Sequence, residues 1–374
     1  VKKHEISINQ VKEDVEFLTS DELQGRNTGT NGIETAARYI ENVFTKNNIK
    51  PYFETYRDTF NVKDIVGYNV VGLIEGNDPK LKNEFVIIGA HYDHIGFKTK
   101  VDNDSIANGA NDNAAGTSAV LALAEYLAKE KMNKRSIIVA LFSGEEMGLL
   151  GSNYFVKNAT IDTDSINYML NMDMVGRLKA DSTLAVYGTG TSPIFKQVVT
   201  ATNDSFKIVE HESGVGPSDH TSFYLNDIPV LHFFTGQHED YHKPSDDSDK
   251  LNYAGMDLIS DFIYNIITDL DDNGEIAFRK TKNEGKDTPR FKVTLGVVPD
   301  YLFSEKGMRI DGVSEDKPAQ KAGLLKGDIV IQLGEHQIED MMGYMKALSK
   351  FEKGNTTTVK VKRDGKELEA QVTF

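Results

Sequence analysis

Apolar positions recur along the chain in two rhythms. Between Glu34 and Asn47, residues Ala36, Ala37, Ile40, Val43 and Phe44 fall at the spacing of an amphipathic helix. Thr117–Lys131 is rich in alanine and leucine at the same spacing, and Asp257–Leu270 reads as a closing helix. Between these lie short unbroken apolar runs, Phe85–Ala90 (FVIIGA), Ser136–Phe142 (SIIVALF), Tyr168–Met172 and Pro229–Phe234. A run without polar alternation is what a strand covered on both faces requires. Such strands alternating with helices predict an α/β fold, with a mixed, mostly parallel-centred sheet sandwiched by helices.

The rhythm changes near residue 280. Asp269–Pro289 is polar, holds two glycines and ends in proline, the composition of a linker. Beyond it come short strands, two helix candidates (Lys317–Gly323 and Met341–Phe351) and a hairpin signal at Asp364-Gly365. The expected organisation is an α/β domain over 1–279, a linker over 280–289 and a small β-rich domain over 290–374. No internal repeat or low-complexity tract interrupts it.

Charge follows the same division. The 374 residues include 57 acidic and 42 basic ones, a net of -15. Residues 290–374 hold 14 basic and 13 acidic residues, so 28 basic and 44 acidic ones fall in 1–289. That excess argues against nucleic acid or an anionic membrane as a partner. There is no cysteine, which excludes disulfides, thiolate metal sites and cysteine nucleophiles. A metal site here must be built from His, Asp and Glu. No apolar run reaches the roughly 20 residues of a membrane-spanning helix. The first residue is Val1 rather than methionine. With the lack of cysteine, this suits a periplasmic or secreted protein whose leader is missing from this sequence.

In an open α/β sheet, ligands bind beyond the carboxyl ends of the strands. Each apolar run is followed there by candidate chemistry. After FVIIGA comes His91-Tyr92-Asp93-His94, then the loop Gly109–Gly116 with Asp112, leading into a helix. After SIIVALF comes Ser143-Gly144-Glu145-Glu146; after Met172 comes Asp173; after Phe234 comes a loop with Tyr241-His242. Singly, each has a plain explanation. An aspartate at a strand end caps or turns, and an acidic pair starts a solvated helix. A lone histidine is usually a surface or satisfied core residue. Their succession at neighbouring edges is what suggests one site of imidazoles and carboxylates.

The same stretches resemble a known family. HYDH at 91–94, GANDNAAGTSA at 109–119, FSGEEMGLLGS at 142–152, NMDMVGR at 171–177, SDHTSF at 218–223 and YHKPSD at 241–246 look like the co-catalytic zinc aminopeptidases of the bacterial leucyl aminopeptidase type, peptidase family M28. The resemblance spans most of residues 20–270 and implies two Zn2+ per chain, with Co2+ or Mn2+ as substitutes. His91 and Asp173 would serve one ion, Glu146 and His242 the other, and Asp112 would bridge. Asp93 would accept the other N–H of the His91 ring. Glu145 would be the general base acting on a metal-bridging hydroxide, and Tyr241 an oxyanion partner. Three carboxylates, two neutral imidazoles, two Zn2+ and one hydroxide sum to zero, so such a cluster can sit in a partly buried cleft. The resemblance also places Asp219, His220 and Phe234 against the substrate. It further implies a cis peptide at Asp112-Asn113 and leaves Gly25–Gly29 and His94 structural or supporting.

Residues 290–374 resemble a PDZ domain of the bacterial protease type. The resemblance rests on Gly307-Met308-Arg309-Ile310, Pro318–Leu324, Lys326–Val330 and Val361–Gly365. It implies strand-addition binding of a C-terminal peptide, with Leu295, Gly296 and Val297 near the carboxylate. The implied activity is removal of N-terminal residues from peptides or proteins. Alternatives on the same fold are a carboxypeptidase, another amide hydrolase or a glutaminyl cyclase; a non-enzymatic alternative is a PDZ peptide-binding adaptor.

Overall fold

The computed structural model describes residues 8–281, 293–300, 303, 305–313 and 316–374, apart from 63, 102 and 158–160. The chain divides into two compact units, one ending at residue 282 and one running from 283 to 374, with 236–239 assigned to the second. The expected linker falls almost wholly on 282–292, outside the described residues.

In the first unit the described residues form a nine-stranded sheet. Its centre is four parallel strands in the order Ser136–Phe142, Phe85–His91, Ile166–Met172 and Val230–Phe234. Antiparallel neighbours flank them, Ile65–Ile74 on one side and Thr183–Tyr187 on the other. This is the mixed, parallel-centred sheet that the apolar runs predict. Every residue of Ser136–Phe142, Ile166–Met172 and Val230–Phe234 is buried.

Successive side chains of a strand face opposite ways, and the two faces have separate cores. Ile88, Val139 and Leu170 join one apolar cluster with Ile40, Leu123 and Ile263. These last three come from the helices Asn31–Lys46, Gly116–Glu130 and Tyr253–Asp271. Ile87, Ile138 and Met169 join the other with Phe155 and Phe223, from the short helices Leu150–Lys157 and His220–Tyr224. The closing helix begins four residues before the apolar stripe predicts. The Asn252 side chain accepts a hydrogen bond from the Gly255 N–H at 2.9 Å and sets its start. The pattern also omits the antiparallel strands Ile65–Ile74 and Thr183–Tyr187, the second wholly buried, as well as Arg57–Val62 and Lys207–His211, whose burial alternates or is partial.

The second unit is a small antiparallel β domain. Its strands run Val297–Pro299, Met308–Val313, Ile329–Leu333, Thr356–Arg363 and Lys366–Thr373 in sheet order, with His336–Gln337 paired to the third. The hairpin at Asp364-Gly365 is as expected, with φ +50° and +77° at its two corner residues. Leu295, Met308, Ile310, Val330, Val359 and Val372 belong to its core. No described helix in either unit is long and apolar enough to cross a membrane.

Candidate metal centre

The four parallel strands deliver His91, the Ser143–Glu146 turn, Asp173 and the loop carrying His242 to one end of the sheet. Asp112 joins them from a kinked turn, Ala110–Ala115, that precedes the helix Gly116–Glu130; Asp112 and Asn113 themselves are not helical. Glycine is required at both ends of that turn. A Cβ on Gly109 (φ +56°) would lie 2.2 Å from the Asp112 carbonyl oxygen, and one on Gly116 would lie 2.4 Å from that of Met172. The Asp112-Asn113 peptide is cis, as the resemblance implies.

The donor atoms sort into two groups that share Asp112. Its Oδ1 is 3.3 Å from His91 Nε2, which lies 3.4 Å from Asp173 Oδ1. Its Oδ2 is 3.1 Å from His242 Nε2, which lies 3.1 Å from Glu146 Oε2. Two donors bonded tetrahedrally to one zinc at about 2.0–2.1 Å stand about 3.3–3.4 Å apart, so both groups have the spacing of ligand pairs. His91 Nε2, His242 Nε2 and Asp173 Oδ1 are buried without a hydrogen-bond partner, as atoms directed at a cation would be. Burial pulls the His91 imidazole down, but Asp173, Glu145 and Asp112 overcome it and hold the ring well above its ordinary range. For His242, burial is likewise outweighed by Asp112 and Glu146, which push it up to about 10. The carboxylates therefore call for positive charge at these two nitrogens, and the donor set fits a metal pair.

His94 takes a larger part than its motif suggests. Its Nδ1 is 2.9 Å from Glu146 Oε1 and 3.9 Å from Asp112 Oδ2, so it too belongs to a potential metal group. His242 Nε2 stands 3.1 Å from each of the same two carboxylates, so two imidazoles face the pair Asp112 and Glu146, and the contact with His94 also fixes the direction of Glu146.

Asp93 supports the site differently from the expectation. The His91 Nδ1 atom meets the Asp93 backbone carbonyl at 3.1 Å, while the carboxylate stands 3.6 Å away. That carboxylate instead accepts the backbone N–H groups of Glu145 (3.2 Å) and Glu146 (3.4 Å). It ties the His91 strand end to the turn bearing both glutamates. Burial pushes the Glu145 carboxyl well above the usual range; His91 opposes this, and Glu146, Asp219 and Asp173 reinforce it.

Asp246 is a site residue that the sequence reading quoted without a role. Its Oδ2 accepts the N–H groups of Asn111 (2.9 Å) and Asp112 (3.1 Å), and its carbonyl accepts that of Ala110 (3.0 Å). Lying four residues beyond His242, it fastens the His242 loop to the Asp112 turn. The only signal was its place in the YHKPSD motif.

The other predicted residues lie as follows. The Tyr241 ring stacks on His242, with centroids 3.8 Å apart. Asp219 is fully buried. Its two oxygens lack hydrogen-bond geometry to any described neighbour, though Ser152 is near enough to lower its pKa somewhat. Burial first, then Asp93 and Asp173, carry it up to about 7 against His91. His220 is buried and stacks on His232 with centroids 4.3 Å apart, and the Phe234 ring lies 6.2 Å from His232 in a near-parallel plane. His232, which no motif singled out, is therefore the centre of this group. In the second unit Leu295 is a buried core residue whose carbonyl accepts the Ala319 N–H at 2.8 Å. Gly296 has φ +77°, and Val297 opens the first strand.

Comparison with known proteins adds the following. A model of Peptidase family M28 matches residues 69–267, and a PDZ domain model matches residues 276–374. A probable leucine aminopeptidase of Arthroderma otae is 31% identical over 178 residues, which cover 44% of this chain and 45% of that protein. The matched stretch thus spans under half the length of that relative. BSAP, a zinc aminopeptidase from Bacillus subtilis, superposes with a TM-score of 0.60 at 15% identity, covering 76% of this chain and 98% of its own. Porphyromonas gingivalis glutaminyl cyclase superposes with a TM-score of 0.59 at 16% identity, covering 70% and 98%. At these identities the two structures share the fold with the first unit.

Proposed function

The chain belongs to peptidase family M28, and from that premise we propose that it is a two-zinc aminopeptidase, removing N-terminal residues from peptides. The observation that carries this reading is the division of Asp112, one carboxylate oxygen facing His91 and Asp173 and the other facing His242 and Glu146. A one-metal reaction such as glutamine cyclisation has no need of both groups.

His91 and Asp173 would hold one ion, His242 and Glu146 the other, and Asp112 both. When bound, a zinc pair polarises a peptide carbonyl and acidifies water. The chain's own residues do the rest. Glu145 Oε2 lies 4.0 Å from His91 Nε2, beside the first group and outside the ligand pairs. From there its carboxylate would take a proton from the attacking water and pass it to the departing amine. Asp93 holds that glutamate by its backbone N–H. The neighbouring carboxylates favour a substrate with a free α-ammonium group. In the second unit, the backbone around Leu295, Gly296 and Val297 is proposed to receive a peptide carboxyl terminus.

A panel of peptides with free or acetylated N-termini, run with metal analysis, tests the reading. Cleavage of the free set alone, with about two zinc ions per chain, is the expected result. Cleavage of the acetylated set, or cyclisation of N-terminal glutamine with a single bound ion, would overturn it.

A further inference from the structure

Arg26 lies in the early loop that the motif reading treats as structural. Three successive residues there, Gln24, Gly25 and Arg26, have φ of +49°, +69° and +46°. Two are not glycine, and a left-handed conformation is unfavourable for such residues. The turn is also tightly seated: a Cβ on Gly25 would lie 2.5 Å from the Ala107 carbonyl oxygen. This unfavourable backbone directs the Arg26 side chain inward, where it is 1% exposed.

The guanidinium reaches no carboxylate among the described residues. Its Nε donates to the Tyr92 carbonyl at 2.9 Å, and its Nη1 to that of Asn108 at 2.7 Å and to that of Leu18. Its Nη2 donates to the Gly109 carbonyl at 3.1 Å. The Arg26 carbonyl in turn accepts the His94 N–H at 3.2 Å. Tyr92 stands between His91 and Asp93, while Asn108 and Gly109 lead directly into the turn that carries Asp112. One rigid fork thus joins two segments that are far apart in sequence and that supply two donors of the same group. Burial brings its pKa down to about 10, opposed by Asp93, Asp112, Asp246 and Glu146. Its charge is therefore balanced by the acids of the metal centre at a distance rather than by an ion-pair partner.

We propose that Arg26 is a positioning residue, whose guanidinium sets the distance between His91 and Asp112 and so pre-shapes the site for metal. This rests on the metal reading above. Lysine keeps the charge but cannot present a planar fork to four carbonyls, so R26K isolates the geometric part. The test compares full-length wild type with R26K. It reads zinc dissociation constants by chelator competition, the visible spectrum of the Co2+-loaded protein, kcat and KM separately, and the metal-free melting temperature. Zinc affinity and kcat are expected to fall about 10–100-fold, with a changed cobalt spectrum. KM should stay within about twofold, and the metal-free protein should remain folded at the assay temperature. R26K with zinc affinity, cobalt spectrum and kcat like wild type would overturn the proposal. So would R26K that is unfolded without metal at the assay temperature, whether or not zinc restores it, since that would make Arg26 a requirement of the fold. Wild type that binds no zinc would instead remove the metal reading, and this proposal with it.

Discussion

The two ends of the parallel strands each bury an arginine, and the difference between the two is instructive. Arg135 precedes the strand Ser136–Phe142, at the end away from the donor cluster, and is 0% exposed. It donates to Glu84 at 2.7 Å and to the Asn273 carbonyl at 2.9 Å, with Asp271 3.8 Å away. Arg26, at the donor end, has carbonyls alone. Both use the same planar fork and both are out of water. Arg135 carries its own counter-ions and fastens the end of the last helix of the first unit to the sheet. The charge of Arg26 is answered only by acids that belong to the site. A buried cation with local partners can be explained by the fold; one without them points to whatever its distant partners do.

Changes at each end should therefore separate activity from stability. The largest effect is expected for Glu145→Gln, with kcat lower by about 10²–10⁴ while zinc content and melting temperature hold. Loss of zinc together with activity would place Glu145 among the ligands. Arg135→Gln removes the cation beside the buried Asp271 and should cost about 3 kcal/mol of unfolding free energy, measured by urea denaturation. Activity per folded molecule should be unchanged, and a fall in zinc affinity would erase the contrast between the two ends.

Asp14 sharpens the comparison from the opposite sign of charge. It is 1% exposed, accepts hydrogen bonds from Tyr39 (2.5 Å) and Gln10 (3.0 Å), and has no cation beside it among the described residues. Burial raises its pKa from 3.8 to about 6. The folded chain then keeps a proton that the unfolded chain releases, so stability should fall as pH rises from about 4 to about 6 and stay lower above that. The change is on the order of 3 kcal/mol. Asp14→Asn should lose this slope between pH 4 and 6, and an unaltered slope in pH-resolved denaturation would assign it to other groups.

Much of the fold was legible because the four central strands are buried on both faces and so have no polar alternation to blur them. Lys207–His211 and Arg57–Val62 were not, since a half-exposed strand mixes polar and apolar residues, and the antiparallel Ile65–Ile74 and Thr183–Tyr187 were missed too, their apolar runs being broken or short. The donor residues were legible as strand-end acids and histidines in order. Their supports were not. Asp246 works through backbone N–H groups and Arg26 through backbone carbonyls, and neither partner leaves a trace in side-chain spelling. Asp93 shows the same limit: its type suggested a bond to the His91 ring, but its carboxylate is occupied by the amides of Glu145 and Glu146.

The sharing of Asp112 has a thermodynamic consequence. Cations held by its two oxygens, as proposed, would not load independently, because each would change the carboxylate that the other needs. Whatever factor the first imposes on the affinity of the second, the second imposes on the first. Attraction through the shared anion and repulsion between the two ions set the sign of that factor. A titration that fills the two groups in separate, unlinked steps would mean that Asp112 is not shared in solution.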